Sequence, residues 1–291
     1  MNQCHSLEGS VSIWHAMKWA EEVLRTSGRL DAQIDAKLLM LYTLAYNESQ
    51  LLLNRQQQMP AKQLEVYKEY VLTRAKGVPL QHITQEQEFM GLNFYVNENV
   101  LIPRQDTESL IEKLLEKNQA AHFRTGIDIG TGTGCIGISL AYYIKGLQMT
   151  LIDISDKALE VARRNIEANH LEQVISTLKS DVLKEYKGEK VDLIVSNPPY
   201  ISKEDMIDLM IEVRDHEPHL ALTDEGDGLY FYRVISKEAK KHLKQGGLLA
   251  YEIGYNQGEA VTTILENENY EAIELFQDLA GNDRVIIARN K

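Results

Sequence analysis

The sequence predicts an α/β protein. It should carry a doubly wound, mostly parallel seven-stranded sheet, a small all-α N-terminal domain and a β-hairpin linker. Three observations carry this. Helical patterns alone run to about residue 80; strand and helix patterns alternate from about residue 106 to the end; and a loop with three glycines follows the first strand of the alternating part. The 291 residues suffice for two units, each with its own core.

The elements follow in order. Ser10 or Ser12 can cap a first helix with a stripe of Trp14, Met17, Ala20, Val23 and Leu24, which Gly28 would end. Asp31 starts a second, with Ile34, Leu38, Leu41, Tyr42 and Ala45 as its apolar face. Pro60 sits at the first turn of another, through Leu64, Tyr67 and Val71 to Gly77. Residues 1–84 therefore read as a helical bundle. Residues 85–105 read as the hairpin linker, with its turn at Asn97-Glu98-Asn99, and 106–291 as the α/β domain. In that domain T-G-I-D-I, M-T-L-I-D-I, V-I-S-T-L-K-S-D, V-D-L-I-V-S and L-L-A-Y-E-I-G alternate with helices, one of them running from near Gly228 to Gly246-Gly247. A-I-E-L-F-Q and R-V-I-I-A-R close the chain as a hairpin, which would make one edge strand antiparallel.

Composition narrows the function. Hydrophobic residues make up 44% and charged residues 25%, ordinary globular values. No apolar run approaches the roughly 18–20 residues of a membrane span, and the N-terminus lacks a secretory pattern, so a soluble cytoplasmic protein is expected. The net charge of −12 counts against holding nucleic acid by phosphate neutralisation. Cys4 and Cys135 are too few and too far apart for a disulfide framework or a zinc site, and Cys135 reads as a small buried residue. His216 and His219 lie either side of Pro218 with no third ligand in view, so no metal is expected.

The loop I-D-I-G-T-G-T-G-C-I-G places Gly130, Gly132 and Gly134 after a strand, where backbone can approach a ligand closely. Asp153 ends the next strand, 19 residues after Gly134, where a carboxylate can accept hydrogen bonds from ribose hydroxyls. Gly132, Gly134 and Gly137 also spell the dinucleotide fingerprint, so a nicotinamide-dependent oxidoreductase remains a rival on the loop alone.

N-P-P-Y, Asn197 to Tyr200, ends the fourth strand of the α/β domain and should face the same crevice. An asparagine amide, proline carbonyls and an aromatic face suit a planar NH₂ group. Methyl transfer to such a nitrogen depends on positioning rather than on acid–base groups. Glu252, at the end of the fifth strand of that domain, reads as a solvated strand end.

These segments resemble one family. D-I-G-T-G-T-G with Asp153 and N-P-P-Y is similar to class I S-adenosylmethionine-dependent, Rossmann-like methyltransferases of the amino-methylating kind. P-L-Q-H-I, E-F-M-G-L-N-F-Y-V, V-L-I-P-R, E-P-H-L-A-L, D-G-L, E-I-G and G-N-D-R-V resemble, in the right order, the peptide chain release factor glutamine N5-methyltransferases. The resemblance implies S-adenosylmethionine as cofactor and S-adenosylhomocysteine as product. Class I release factors are the implied partners, methylated on the glutamine of their Gly-Gly-Gln loop. No membrane or direct nucleic-acid binding is expected, although a DNA or RNA amino-methyltransferase shares the clamp chemistry. The implied cofactor residues are Gly130, Thr131, Gly132, Thr133, Gly134, Asp153, Asp181, Val182 and Asn197. Asn197, Pro198, Pro199 and Tyr200 form the implied substrate clamp, Asn197 and Tyr200 being catalytic, and the helical region would dock the release factor. Val182 stands where the family often has an aromatic against the adenine. The family's usual R-P-E-T-E appears as R-Q-D-T-E, Arg104 to Glu108, to which no chemistry is assigned.

Overall fold

A computed structural model of the protein describes residues 11–291, which form two compact units. Cys4 and Ser10 lie outside the described residues. The first unit runs to Gln85 and also takes in Ile211–His216; Glu86–Met210 and Glu217–Lys291 form the second.

The first unit contains α1 (Ile13–Thr26), α2 (Ala32–Leu44), α3 (Glu48–Asn54), α4 (Ala61–Ala75) and α5 (Leu80–Thr84). Ser12 caps α1, accepting from the His15 amide, and the chain leaves the helix through Gly28 at φ +79°. An Asn47–Gln50 capping box starts α3, which the stripe reading did not foresee. On α1 the buried stripe is Ile13, Ala16, Ala20, Val23 and Leu24, so Trp14 lies outside it.

The buried face of α2 is not the expected one. Ala32, Asp35, Ala36, Leu39 and Met40 are buried, whereas Ile34, Leu38 and Tyr42 stand in solvent. The helix is apolar on almost every side, so its period selects no face. Polar contacts decide: Tyr67 donates to the Ala36 carbonyl at 2.8 Å, and Arg74 Nε donates to Asp35 Oδ2 at 2.7 Å. The small Ala32 and Ala36 admit this close approach. Arg74 also reaches Glu212 at 2.8 Å, and Arg29 reaches it at 3.1 Å. Arg74→Ala would strand the buried Asp35 carboxylate and should cost about 3 kcal/mol or more in urea unfolding. A loss below about 1 kcal/mol would reduce the pair to the standing of a surface bridge.

The second unit opens with the hairpin β1 (Glu86–Phe89) and β2 (Leu92–Tyr95). Its turn is at Met90-Gly91, not at 97–99. Both residues have positive φ, 52° and 70°, as a two-residue hairpin turn requires. Asn97-Glu98-Asn99 is a turn too, with Asn97 Oδ1 accepting from the Asn99 amide at 3.0 Å, but it belongs to the loop after the hairpin. Asn165 fastens the hairpin to the α/β layers by bonding both the Tyr95 amide and the Tyr95 carbonyl.

The layers follow as α6 (Glu108–Ala121), β3 (Thr125–Ile129), α7 (Cys135–Tyr143), β4 (Gln148–Asp153), α8 (Asp156–Ala168), β5 (Ile175–Lys179) and β6 (Val191–Ser196). The short helices α9 (Ile211–His216), which belongs to the first unit, and α10 (His219–Leu222) come next. The chain ends with α11 (Tyr230–His242), β7 (Leu243–Glu252), α12 (Gly258–Asn267), β8 (Tyr270–Gln277) and β9 (Asp283–Asn290). Seven strands pair in the order β5-β4-β3-β6-β7-β9-β8, and a core packs on each face. The α/β class predicted from the sequence is the observed one. Two details differ. β9 is antiparallel to both its neighbours and inserts between β7 and β8, so the antiparallel strand is internal rather than at the edge. α11 stops at His242, and Gly246-Gly247 fall inside β7, where the register with β6 jumps from Val191↔Leu243 to Leu193↔Leu248. The excursion returns the chain to a ladder filled on both sides, which local glycine signals cannot reveal.

Candidate active site

β3 and β6 pair in parallel and end together, at Ile129 and Ser196, so the glycine loop and N-P-P-Y leave the sheet side by side. Ser196 Oγ donates to the Ile129 carbonyl at 2.7 Å and locks the two ends. A crevice of about 250 Å³ lies there, lined by residues that include Gly130, Gly132, Asp153, Asp181, Val182, Asn197, Pro198 and Pro199.

The glycines divide by task. Gly130 and Gly132 have φ of +69° and +54°, and a Cβ at either would meet nothing within 4 Å: their backbone faces open space. A Cβ on Gly134 would approach Ile138 at 2.8 Å, and one on Gly137 would overlap Leu151 at 2.1 Å, so these two serve helix–strand packing. The expected Thr131, Thr133 and Gly134 do not line the crevice. Thr131 instead donates to Asp128 Oδ2 at 2.6 Å, and Thr133 accepts from the Cys135 amide at 3.3 Å. Asp128 also accepts from the Gly137 amide at 3.1 Å, and burial pushes its carboxyl up to about 6. Cys135 is buried as expected, its thiol pushed up to about 12 by burial, which removes the thiolate at neutral pH.

Asp153, at the end of β4, accepts from the Gly132 amide and the Ser155 amide, both at 2.9 Å, which sets the loop against the strand end. Burial holds its carboxyl above the ordinary range. Val182 is buried in the crevice wall with φ +54°, a left-handed conformation that a β-branched residue rarely adopts. These groups fit an adenosyl ligand: open glycine backbone, a carboxylate at the strand end and an apolar wall.

At the β6 end, Asn197 Nδ2 donates to Thr107 Oγ1 at 3.4 Å. Tyr200 does not line the crevice; its hydroxyl donates to Glu252 Oε1 at 3.3 Å, and its carbonyl accepts from Gln257 Nε2 at 3.0 Å. Gly228 approaches this carbonyl so closely that a Cβ would come within 2.3 Å of it, which accounts for the glycine in D-G-L. Glu252 is not a solvated strand end. Only 1% of it is exposed, because β7 is paired on both sides and Glu252 sits opposite Val285 of β9. Burial raises its carboxyl, against the Thr107 hydroxyl, the Arg284 charge and the Tyr200 hydroxyl, which lower it.

Sequence reasoning named the R-Q-D-T-E segment but assigned it no role. Arg104 pairs with the buried Glu217, Asp106 lies 3.3 Å from Arg284, Thr107 meets Asn197, and Glu108 accepts from the Met90 amide at 2.7 Å. Four of its five side chains thus tie the hairpin, the crevice and β9 together. No period or spacing marks such a stretch; only its partners do.

Residues 105–229 match the family model described as methyltransferase small domain, and residues 15–84 the one described as PrmC N-terminal domain. The release factor glutamine methyltransferase of Clostridium acetobutylicum is 41% identical over 280 residues, covering 96% of this chain and 98% of that protein. The enzyme of the same name from Bacillus subtilis is 39% identical over 284 residues, 95% of this chain and 97% of that one. Among solved structures, a methyltransferase from Pyrococcus furiosus matches with a TM-score of 0.51 at 18% identity, over 78% of this chain and 98% of its own. That likeness is one of fold alone.

Proposed function

We propose a mechanism on the premise that the chain belongs to the release factor glutamine methyltransferase family. The enzyme methylates the side-chain amide nitrogen of a release factor glutamine, and we assign the glutamine to the Gly-Gly-Gln loop of class I factors. It works in the cytoplasm with S-adenosylmethionine. One observation carries the reading: a single crevice takes in open glycine backbone, the Asp153 carboxylate and the Asn197-Pro198-Pro199 strand end.

Gly130, Gly132, Asp153, Asp181 and Val182 would hold the cofactor, whose sulfonium supplies an electrophilic methyl group and its own leaving group. Asn197 and the Pro198 carbonyl accept the two N–H bonds of the target amide. Amide nitrogen is a poor nucleophile because its lone pair is delocalised into the carbonyl. Two acceptors fixed by rigid prolines turn that nitrogen toward the methyl group and hold it in attack geometry. No side chain has to remove a proton first, since the methylated amide sheds one afterwards. Tyr200 acts from behind the clamp, through its bond to Glu252.

Incubation with methyl-labelled S-adenosylmethionine and release factor, DNA or tRNA in separate arms tests the reading. Label should enter the release factor alone, and a Gly-Gly-Gln glutamine changed to alanine should abolish it. Label in DNA or tRNA would overturn the assignment.

The helical unit docks the release factor. Ile34 and Leu38 stand exposed on α2, and nothing in α1–α5 supplies a cofactor motif. Ile34→Asp with Leu38→Asp should raise KM for release factor several-fold while leaving the Kd for S-adenosylmethionine unchanged. An unaltered KM would remove this face from the docking role.

A further inference from the structure

We infer that Glu252 and Thr107 are positioning residues that set the polarity of the Asn197 clamp, an inference that rests on the reading of N-P-P-Y given above. A carboxamide can present either its oxygen or its NH₂ to a ligand, and the two ends are nearly the same shape. A clamp that must accept N–H bonds works in only one of these orientations.

The buried neighbours of Asn197 choose it. Asn197 Nδ2 donates to Thr107 Oγ1, which turns Oδ1 away from Thr107. A hydroxyl that accepts from an amide has its own proton left to place. The Glu252 carboxylate lies beside it, and Glu252 Oε2 is fully buried with no hydrogen-bond partner. Glu252 Oε1 is already taken by the Tyr200 hydroxyl. The carboxylate accepts from Tyr200 through Oε1, leaves Oε2 open for the neighbouring Thr107 hydroxyl proton, and cannot donate to either. Both hydroxyls must point their protons at it. Thr107 is then compelled to be the acceptor of Asn197, and the clamp keeps its acceptor face toward the crevice. A buried acceptor left without a donor costs free energy, and that cost favours turning the Thr107 proton toward Oε2.

The relay also makes the clamp sensitive to the ionisation of Glu252. The groups facing that carboxylate are Tyr200, Thr107, Arg284 from β9, Asp106 before α6, Cys135 from α7 and Tyr232 from α11. Burial outweighs the attraction of Arg284, so the carboxyl titrates above the ordinary carboxylate range. Once protonated, Glu252 can donate to Thr107, which frees Thr107 to donate to Asn197 and reverse the carboxamide.

Single-turnover methylation of release factor at saturating cofactor tests this across pH, with wild-type turnover establishing the underlying reaction independently. Glu252→Gln and Thr107→Val should each lower kcat about tenfold to a hundredfold, the scale of a misplaced reacting group. Cofactor Kd should stay within about twofold, because neither side chain contributes to the glycine loop or to Asp153. Thr107→Ser, which keeps the hydroxyl, should recover most of the rate. Wild type should lose kcat as pH falls through the raised Glu252 pKa, and both Glu252→Gln and Thr107→Val should lack that limb. Wild-type rates in Thr107→Val, or a loss in Glu252→Gln by the same factor at every pH, would overturn the inference. If Glu252→Gln does not fold, the Thr107→Val and Thr107→Ser pair decides alone.

Discussion

Asn197→Asp should lose about 10²-fold or more in single-turnover methylation while still binding S-adenosylmethionine, the scale expected for one preorganised polar contact in a site closed to water. The shape is kept, so the loss is electrostatic. A carboxylate at position 197 cannot donate to Thr107 Oγ1, the bond that Asn197 Nδ2 makes. Thr107 would have to serve two acceptors, the new carboxylate and Glu252, with one proton. Like charges would then face each other across a single hydroxyl, and one carboxyl would be driven to protonate. Either result disorders the acceptor proposed to hold the glutamine amide. Cofactor binding survives because the glycine loop and Asp153 are untouched, and an added negative charge near the sulfonium can even strengthen it. Asn197→Ala should lose activity without that gain. Calorimetric cofactor titration beside the rate measurement separates the two effects. A near-normal rate for Asn197→Asp would reduce N-P-P-Y to a turn.

Asp153→Ala should weaken S-adenosylmethionine by about tenfold to a hundredfold, the scale of about 1.5–3 kcal/mol for a hydrogen bond to a charged group. Two losses combine. On the proposed assignment the ribose hydroxyls lose their acceptor, and the Gly132 and Ser155 amides lose the oxygens that set the loop. Gly132 at φ +54° is then free to sample other conformations, so the loop must be ordered at the moment of binding. The sign with pH follows from the same carboxyl. Burial raises its pKa, so wild-type affinity should decline as pH falls through that raised value, while Asp153→Asn should bind weakly with no such dependence. The release factor KM should stay near wild type in both variants. A cofactor Kd within about twofold of wild type in Asp153→Ala would dismiss the ribose role, since losing a charged acceptor cannot be that mild.

The alternation of strand and helix, the glycine loop, Asp153 and N-P-P-Y were all legible in the chain, because each is written within a few consecutive residues. Burial period, turn chemistry and backbone freedom act over that range, so an α/β sheet with a ligand crevice at its strand ends followed from local patterns. What lay beyond reach depends on partners far apart in sequence. Asn197 and Thr107 are 90 residues apart, and no spacing rule joins them. Glu252 looks like any acidic strand end until β9 pairs on its far side and buries it. The face of α2 was undecidable from a helix apolar all round; Tyr67 and Arg74 of α4 settled it by what they could bond. Local sequence thus determined most of the elements and where the proposed site motifs sit on them. Tertiary packing alone decided which polar groups lose water, and a group that has lost water must find a partner, which is how it came to orient the clamp.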